Sequence, residues 1–401
     1  MTESGITFYL WLLVAVFAGW LLAQITGKKL RGTRRSTSDI YHEYFVGLNY
    51  LLRDEPDEAI DTFINGLEIN GETIETHLAL GTLLRRRGKV DRAIKVHQEL
   101  LGRSGLSSEF ADSVRLELSN DYIAAGLLDR AERLLKELLS DGNPMRWEGL
   151  AQLVTVYQIE KEWDQAIGVV NQLIQNPRYR KDKSLRSVAA HYCCELAELA
   201  LADGDLQLAR EQIRKALQFD RSSGRSGLLL AIIEQKSSNL EKSVKELIRV
   251  ATNHPLLITE VVEPLATCFS QDTEGKISGS LKSVLFRLLE ENPRASVLLE
   301  AVKLVKEEEG EEAAVQSLAE GLQKNPSLKA CQALLENQLQ FCQEDARRYL
   351  RLAIEALQNY LDSKPGYRCD HCGFETRKLY WQCPSCQKWD RLGPILGAEG
   401  D

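Results

Sequence analysis

A small residue returns through this chain at a nearly fixed interval, and that rhythm limits the fold more than any other feature of the sequence. Ala59 and Ala93 stand 34 residues apart, and twelve residues before each stands a glycine, Gly47 and Gly81. The paired slots recur as Ser119 and Ala131, Val154 and Ala166, Ala197 and Ala209, and Ala231 and Ser243. Gly88, Gly126 and Gly204 fall five residues before Ala93, Ala131 and Ala209, where one helix has to stop. Three residues before the alanine slot an apolar side chain repeats as Val90, Leu128, Trp163, Leu206 and Leu240. Small side chains at two crossing points let paired helices approach. The larger apolar residues can be buried only against the next pair, so the pattern predicts a stack of helical hairpins. Steps of 34, 38, 35, 43 and 34 residues between the alanine slots place longer loops near residues 102–108 and 176–184. From about residue 255 to 362 the pattern decays, although Ala314 with Pro326 twelve later reads as another copy. The count is about nine units over residues 40–362, the last three degenerate.

In its period and its glycine and alanine slots this pattern resembles the tetratricopeptide repeat, and Tyr122 and Tyr157 match the aromatic of that repeat's first helix. The resemblance implies an all-α superhelix whose concave surface grips an extended segment or a helix of another protein. Composition agrees, with 10 prolines and 7% aromatic residues, so little sheet is expected outside the C-terminal tail. With 58 acidic against 50 basic side chains the net charge is −8, which repels a phosphate backbone and argues against nucleic acid as a partner. His77 and His97 fall on inward-leaning slots, where packing is expected. Arg85, Arg86, Arg87 and Lys89 read as a solvated basic turn, and Glu307, Glu308, Glu309, Glu311 and Glu312 as an exposed interhelical turn.

Residues Ile6 to Ile25 contain no charged side chain. Twenty helical residues at about 1.5 Å each match the roughly 30 Å hydrocarbon core of a bilayer, so one transmembrane helix is expected within an anchor of residues 1–27. Tyr9, Trp11 and Trp20 lie toward its ends, and Lys28, Lys29, Arg31, Arg34 and Arg35 follow within a basic linker of residues 28–39. Only Glu3 precedes the run, so the positive-inside bias leaves the basic side and everything after it in the cytoplasm. A cleaved signal peptide would need basic residues in front of a shorter apolar run, and this sequence lacks them. The Ala15-x3-Gly19 pair would let two such helices approach closely, which is compatible with a homo-oligomer.

The strongest chemical signal lies in residues 363–401. Cys369-x2-Cys372 and Cys383-x2-Cys386 are separated by ten residues. A two-residue gap lets both sulfurs of a tight turn face one ion about 2.3 Å away, and two such turns complete a tetrahedral site. Gly373 is expected at positive φ, and Pro384 stiffens the second turn. Tyr367, Phe374, Tyr380, Trp381 and Trp389 read as an apolar cover for so small a module. In a reducing compartment paired knuckles hold metal rather than disulfides. With four protein ligands the ion is structural, with no position open to substrate. Zinc is the first choice. Iron competes, because these knuckles also resemble those of rubredoxin, with a shorter spacer. Cys193, Cys194, Cys268, Cys331 and Cys342 have no pairing rhythm and read as buried packing residues.

No phosphate loop, dinucleotide fingerprint, HExxH or GxSxG elbow is present, and the reading is of a protein that is not an enzyme. The ordered features together resemble the lipopolysaccharide assembly protein B family. The residues that carry the resemblance are the N-terminal anchor, Tyr44 to Leu52, Arg87 to Gln98, Asp121 to Glu132, and Tyr367 to Cys386 with Trp389. It implies a single-pass bacterial inner-membrane protein with a periplasmic N-terminus and a cytoplasmic body, which coordinates lipopolysaccharide synthesis with export. It also implies an adaptor that presents the lipid A pathway deacetylase to a membrane-bound AAA+ protease. The alternative is a scaffold that gathers lipopolysaccharide synthesis and transport proteins without a part in proteolysis. Carried onto this chain, the metal ligands are Cys369, Cys372, Cys383 and Cys386.

Overall fold

The computed structural model describes residues 45–47, 49–50, 53, 58–62, 73–103 and 105–401. The expected membrane span and the basic linker lie outside them. Among the described residues no helix is long and apolar enough to cross a membrane. The chain divides into two compact units, residues 1–149 and 150–401.

In the first unit, α1 (Ile74–Arg86) pairs with α2 (Val90–Leu101) and α3 (Ser108–Ala124) with α4 (Leu128–Glu137). Helix α5 (Arg146–Glu160) begins here and ends in the second unit, where α6 (Trp163–Leu173) follows it. The further hairpins are α7 (Lys183–Ala202) with α8 (Leu206–Phe219), α9 (Gly224–Lys236) with α10 (Leu240–Asn253), and α11 (Ile258–Gln271) with α12 (Leu281–Glu291). Two more follow, α13 (Ala295–Glu309) with α14 (Glu311–Lys324) and α15 (Leu328–Gln338) with α16 (Glu344–Ser363). The expectation of stacked helical hairpins therefore holds within each unit.

The repeat slots explain why the pairs close. Ala59, Ala93, Ala131, Ala166, Ala209 and Ala314 are fully buried, and Ser243 nearly so. Each marks a helix–helix crossing where a longer side chain would hold the axes apart. At Gly81 the approach leaves no room for a side chain: a Cβ there would lie 2.4 Å from the ring of His97. In the sixth repeat the two slots touch directly, the Ser243 hydroxyl donating to the Ala231 carbonyl at 2.8 Å. Val90, Leu128, Trp163, Leu206 and Leu240 are each the first residue of a second helix. Five residues before the alanine slot the backbone is left-handed in every case from the second repeat to the sixth: Gly88, Gly126 and Gly204, but also Lys161 (φ 60°) and Ser238 (φ 61°).

Two expectations need correction. Arg85 is not solvated: it donates to Asp121 (2.8 Å) and Glu117 (2.7 Å), and the other oxygen of Asp121 meets Nδ1 of the fully buried His97 at 2.5 Å. A buried carboxylate needs such partners, and the basic turn supplies one. Cys331 and Cys342 are only half-buried, whereas Cys193, Cys194 and Cys268 lie in the core. Burial pushes the Cys193 thiol up to about 12 and the Cys194 thiol up to about 11, so both are inert packing groups.

Candidate metal centre

After α16 the chain forms three short antiparallel strands, β1 (Tyr367–Cys369), β2 (Glu375–Thr376) and β3 (Leu392–Pro394), in the order β2-β1-β3. Tyr367 faces Thr376 on one side and Pro394 on the other. This frame fixes the two cysteine turns, which are built alike. The Cys369 N–H donates to the Phe374 carbonyl at 2.8 Å, and the Gly373 N–H returns to the Cys369 carbonyl at 3.0 Å. In the second turn the Cys383 N–H donates to Lys388 and the Gln387 N–H to Cys383, both at 2.9 Å. Gly373 (φ 76°) and Gln387 (φ 58°) occupy the same left-handed position. Gly373 is the signal the sequence carries, and Gln387 repeats its geometry without the glycine that would reveal it.

The turns bring all four sulfurs, of Cys369, Cys372, Cys383 and Cys386, within 4.8 Å of one another. Cys369 and Cys386 are 3.8 Å apart across the turns and Cys372 and Cys383 3.6 Å. A tetrahedron with metal–sulfur bonds of 2.3 Å has edges of about 3.8 Å, whereas a disulfide needs about 2.0 Å. The donor set therefore fits one structural metal ion. The Phe374 backbone N–H holds the Cys372 thiol down at about 7. Cys386 also faces a backbone N–H, from Lys388, but desolvation and its neighbouring cysteines outweigh this and push it up to about 11. Four thiolates at this spacing need a cation to coexist. His371 stands outside the cluster, exposed, with Nε2 2.7 Å from Lys388 Nζ.

Cys369, Cys383 and Leu392 form the small core of the module, with Tyr367, Phe374 and Leu379 packed on it. Trp381 and Trp389 are not its cover, contrary to the expectation above. They face the first helices of the hairpins. The Trp389 ring stacks on His191 of α7 at 4.8 Å, and its Nε1 donates to Gln158 of α5 at 2.9 Å. The Arg225 guanidinium of α9 lies 5.6 Å from the Trp381 ring and 5.8 Å from Trp389. Glu195 and Glu198 of α7 pair with this cation at 2.7 and 2.8 Å, and they outweigh its desolvation and raise its pKa. His191 Nε2 also meets Asp390 at 2.7 Å. Further along, the Tyr367 hydroxyl donates to Glu260 of α11. The Asp401 side chain accepts from Thr259 of α11 (2.6 Å) and from the Ser296 N–H of α13 (2.7 Å). The Leu328 N–H of α15 donates to the Ala398 carbonyl at 2.8 Å. The tail thus touches the first helix of six successive hairpins. Sequence reading missed Gln158, His191, Arg225 and Asp401, whose partners lie far along the chain.

A family described as the rubredoxin metal binding domain matches residues 367–394. Lipopolysaccharide assembly protein B of Escherichia coli (strain K12) is 34% identical over 393 residues, covering 98% of each chain. The protein of the same name from Haemophilus influenzae is 28% identical over 401 residues, again covering 98% of each. Among solved structures, the C-terminal part of a TPR repeat-containing protein from Cytophaga hutchinsonii shares 15% identity, covering 65% of this chain and 94% of that one, with a TM-score of 0.38. On the strength of the end-to-end identity and the matched metal module, this chain belongs to the lipopolysaccharide assembly protein B family.

Proposed function

We propose that this protein is a non-enzymatic adaptor of the bacterial inner membrane that regulates lipopolysaccharide assembly, presenting the lipid A pathway deacetylase to a membrane-bound AAA+ protease. The observation that carries this reading is how the described chain is used: successive helical hairpins in each unit, and a metal centre whose four positions are filled by protein. Such a centre has no place for substrate, and zinc suits it best, since it needs no redox partner and prefers four tetrahedral thiolates. A role in lipopolysaccharide assembly follows the name of the relatives.

The apolar run of residues 6–25 would hold the protein in the plane of the membrane, with the body cytoplasmic. Confinement raises the effective concentration of a client toward a protease in the same plane without any new contact. The test is the lifetime of the deacetylase. Depleting this protein should lengthen its half-life several-fold after synthesis is stopped. An unchanged half-life would leave the scaffold reading, in which synthesis and export proteins are gathered without proteolysis.

A further inference from the structure

The insertion that lengthens the repeat step between Ala166 and Ala209 is basic in an acidic chain. Residues 176–186 hold Arg178, Arg180, Lys181, Lys183 and Arg186 against Asp182 alone, whereas the whole chain has a net charge of −8. Arg180, Lys181 and Lys183 are exposed, and Arg186 is half-buried. Among the described residues none of these four meets a carboxylate. The Arg180 guanidinium donates to the Gln175 carbonyl at 3.4 Å, and Arg186 Nε to the Arg180 carbonyl at 3.1 Å. These bonds hold the two guanidinium groups in place without neutralising them. The Asp182 carboxylate is the N-cap of α7, accepting from the Leu185 N–H at 3.1 Å.

Two clefts open beside these cations, and Ser184 and Val188 of α7 line both. The first, of 320 Å³, has an apolar wall of Val154, Leu173 and Leu185. The second, of 570 Å³, is lined by Lys183, Arg186 and Phe219, with Trp389 and Arg391 of the tail. Gln158 lines the first cleft. Its Oε1 accepts from the Tyr192 hydroxyl at 2.8 Å and from the Trp389 indole at 2.9 Å. An indole can only donate, so the orientation of this amide is fixed. Gln158 Nε2 is then a held donor with no partner among the described residues.

A ligand for this place carries separated negative charges, a large apolar side chain and a carbonyl oxygen. An extended acidic peptide has all three. A phosphate group gathers its charge at one point and is drawn to the free N–H groups of a helix start, which Asp182 already caps here. A nucleic acid or an anionic membrane presents unbroken negative charge, and Asp220 and Asp390 on the wall of the second cleft oppose it. We infer that an acidic, extended segment of a partner protein binds across the first turns of α7. Its apolar side chain lies over Val154 and Leu185, its carboxylates meet Arg180, Lys183 and Arg186, and a backbone carbonyl accepts from Gln158 Nε2. The inference rests on the adaptor reading and names the chemistry of what the adaptor holds. Its ion pairs stay partly in water, so the contact is weak, with a dissociation constant on the order of micromolar, and sensitive to salt.

The test pans full-length protein in detergent against a displayed library of random twelve-residue peptides. Selected sequences are synthesised with a fluorescent label and titrated by anisotropy. They should be rich in Asp and Glu, hold at least one large apolar residue, and bind about tenfold more weakly when NaCl is raised to about 0.3 M. Arg180→Glu with Lys183→Glu should weaken binding tenfold or more. Ser184→Trp, which fills space in both clefts without changing charge, should do the same. All three positions are exposed, and unchanged metal content and helical circular dichroism would confirm that the variants fold. Selection that yields no binder, or binders without acidic bias, overturns the inference. So do acidic peptides that bind either variant as they bind wild type. Displacement of the peptide by inorganic phosphate beyond that by chloride at equal ionic strength overturns it in favour of a phosphate, and displacement by phosphatidylglycerol vesicles in favour of a membrane. The half-life of the deacetylase does not enter this test, so loss of this site and loss of the adaptor role are told apart.

Discussion

A single backbone position separates what a residue type announces from what the fold requires. The turn inside each hairpin needs a left-handed residue five places before the alanine slot, and glycine fills it at Gly88, Gly126 and Gly204. Lys161 and Ser238 adopt the same conformation with a Cβ in place, which costs roughly 1–2 kcal/mol against glycine. Part of this is offset because glycine loses more freedom on folding, by about 0.5–1 kcal/mol. Lys161→Gly and Ser238→Gly should therefore each stabilise the protein by about 0.5–1 kcal/mol, seen as a higher urea midpoint. Gly126→Ala should lower the midpoint. The position was legible in the sequence wherever glycine marked it and silent elsewhere, because a lysine or serine held in this conformation by its flanking helices leaves no compositional trace. Gln387, the counterpart of Gly373 in the second cysteine turn, is silent for the same reason.

At the scale of elements, local spacing reveals hairpins and knuckles, while the docking of one on the other depends on contacts that periodicity does not report. Trp389 and Gln158 are 231 residues apart in sequence, and His191 and Asp390 are 199 apart. Nothing in either segment names the other. What is visible is a misfit, two tryptophans more than so small a module needs, and the structure accounts for them as a docking face. The aromatic and guanidinium cluster carries that face, since Arg225 is buried between two indoles and two carboxylates. Trp389→Ala removes one ring of a desolvated cation–π pair and leaves a cavity, a loss of about 3–5 kcal/mol. The variant should keep its metal while α7, α9 and the tail exchange amide hydrogens faster. Cys383→Ser should lose the metal and loosen the tail as well, because the ion closes the small core from which the tryptophans project. Metal analysis alongside hydrogen exchange separates the two. Full protection in Trp389→Ala would mean that the contacts at Glu260, Thr259 and Ser296 hold the tail unaided.

For the whole molecule, the proposed tether and the folded body make separable demands. The helices of the described hairpins and all four metal ligands lie after residue 27, so deleting residues 1–27 should leave the helical content, the melting temperature and the metal stoichiometry of the body unchanged. Function in cells should nevertheless be lost. A soluble body meets a membrane-bound partner at its bulk concentration, whereas a tethered one meets it at the effective concentration set by confinement, and avidity of this kind can exceed a single contact by about 10²–10⁴. The cause can be read from a second variant in which an unrelated single-span helix, followed by the same basic residues 28–35, replaces the native run. If confinement is what matters, the foreign helix restores the short half-life of the deacetylase. If it restores membrane association without restoring turnover, then the native segment makes a specific contact inside the bilayer, for which the Ala15-x3-Gly19 pair is the natural candidate.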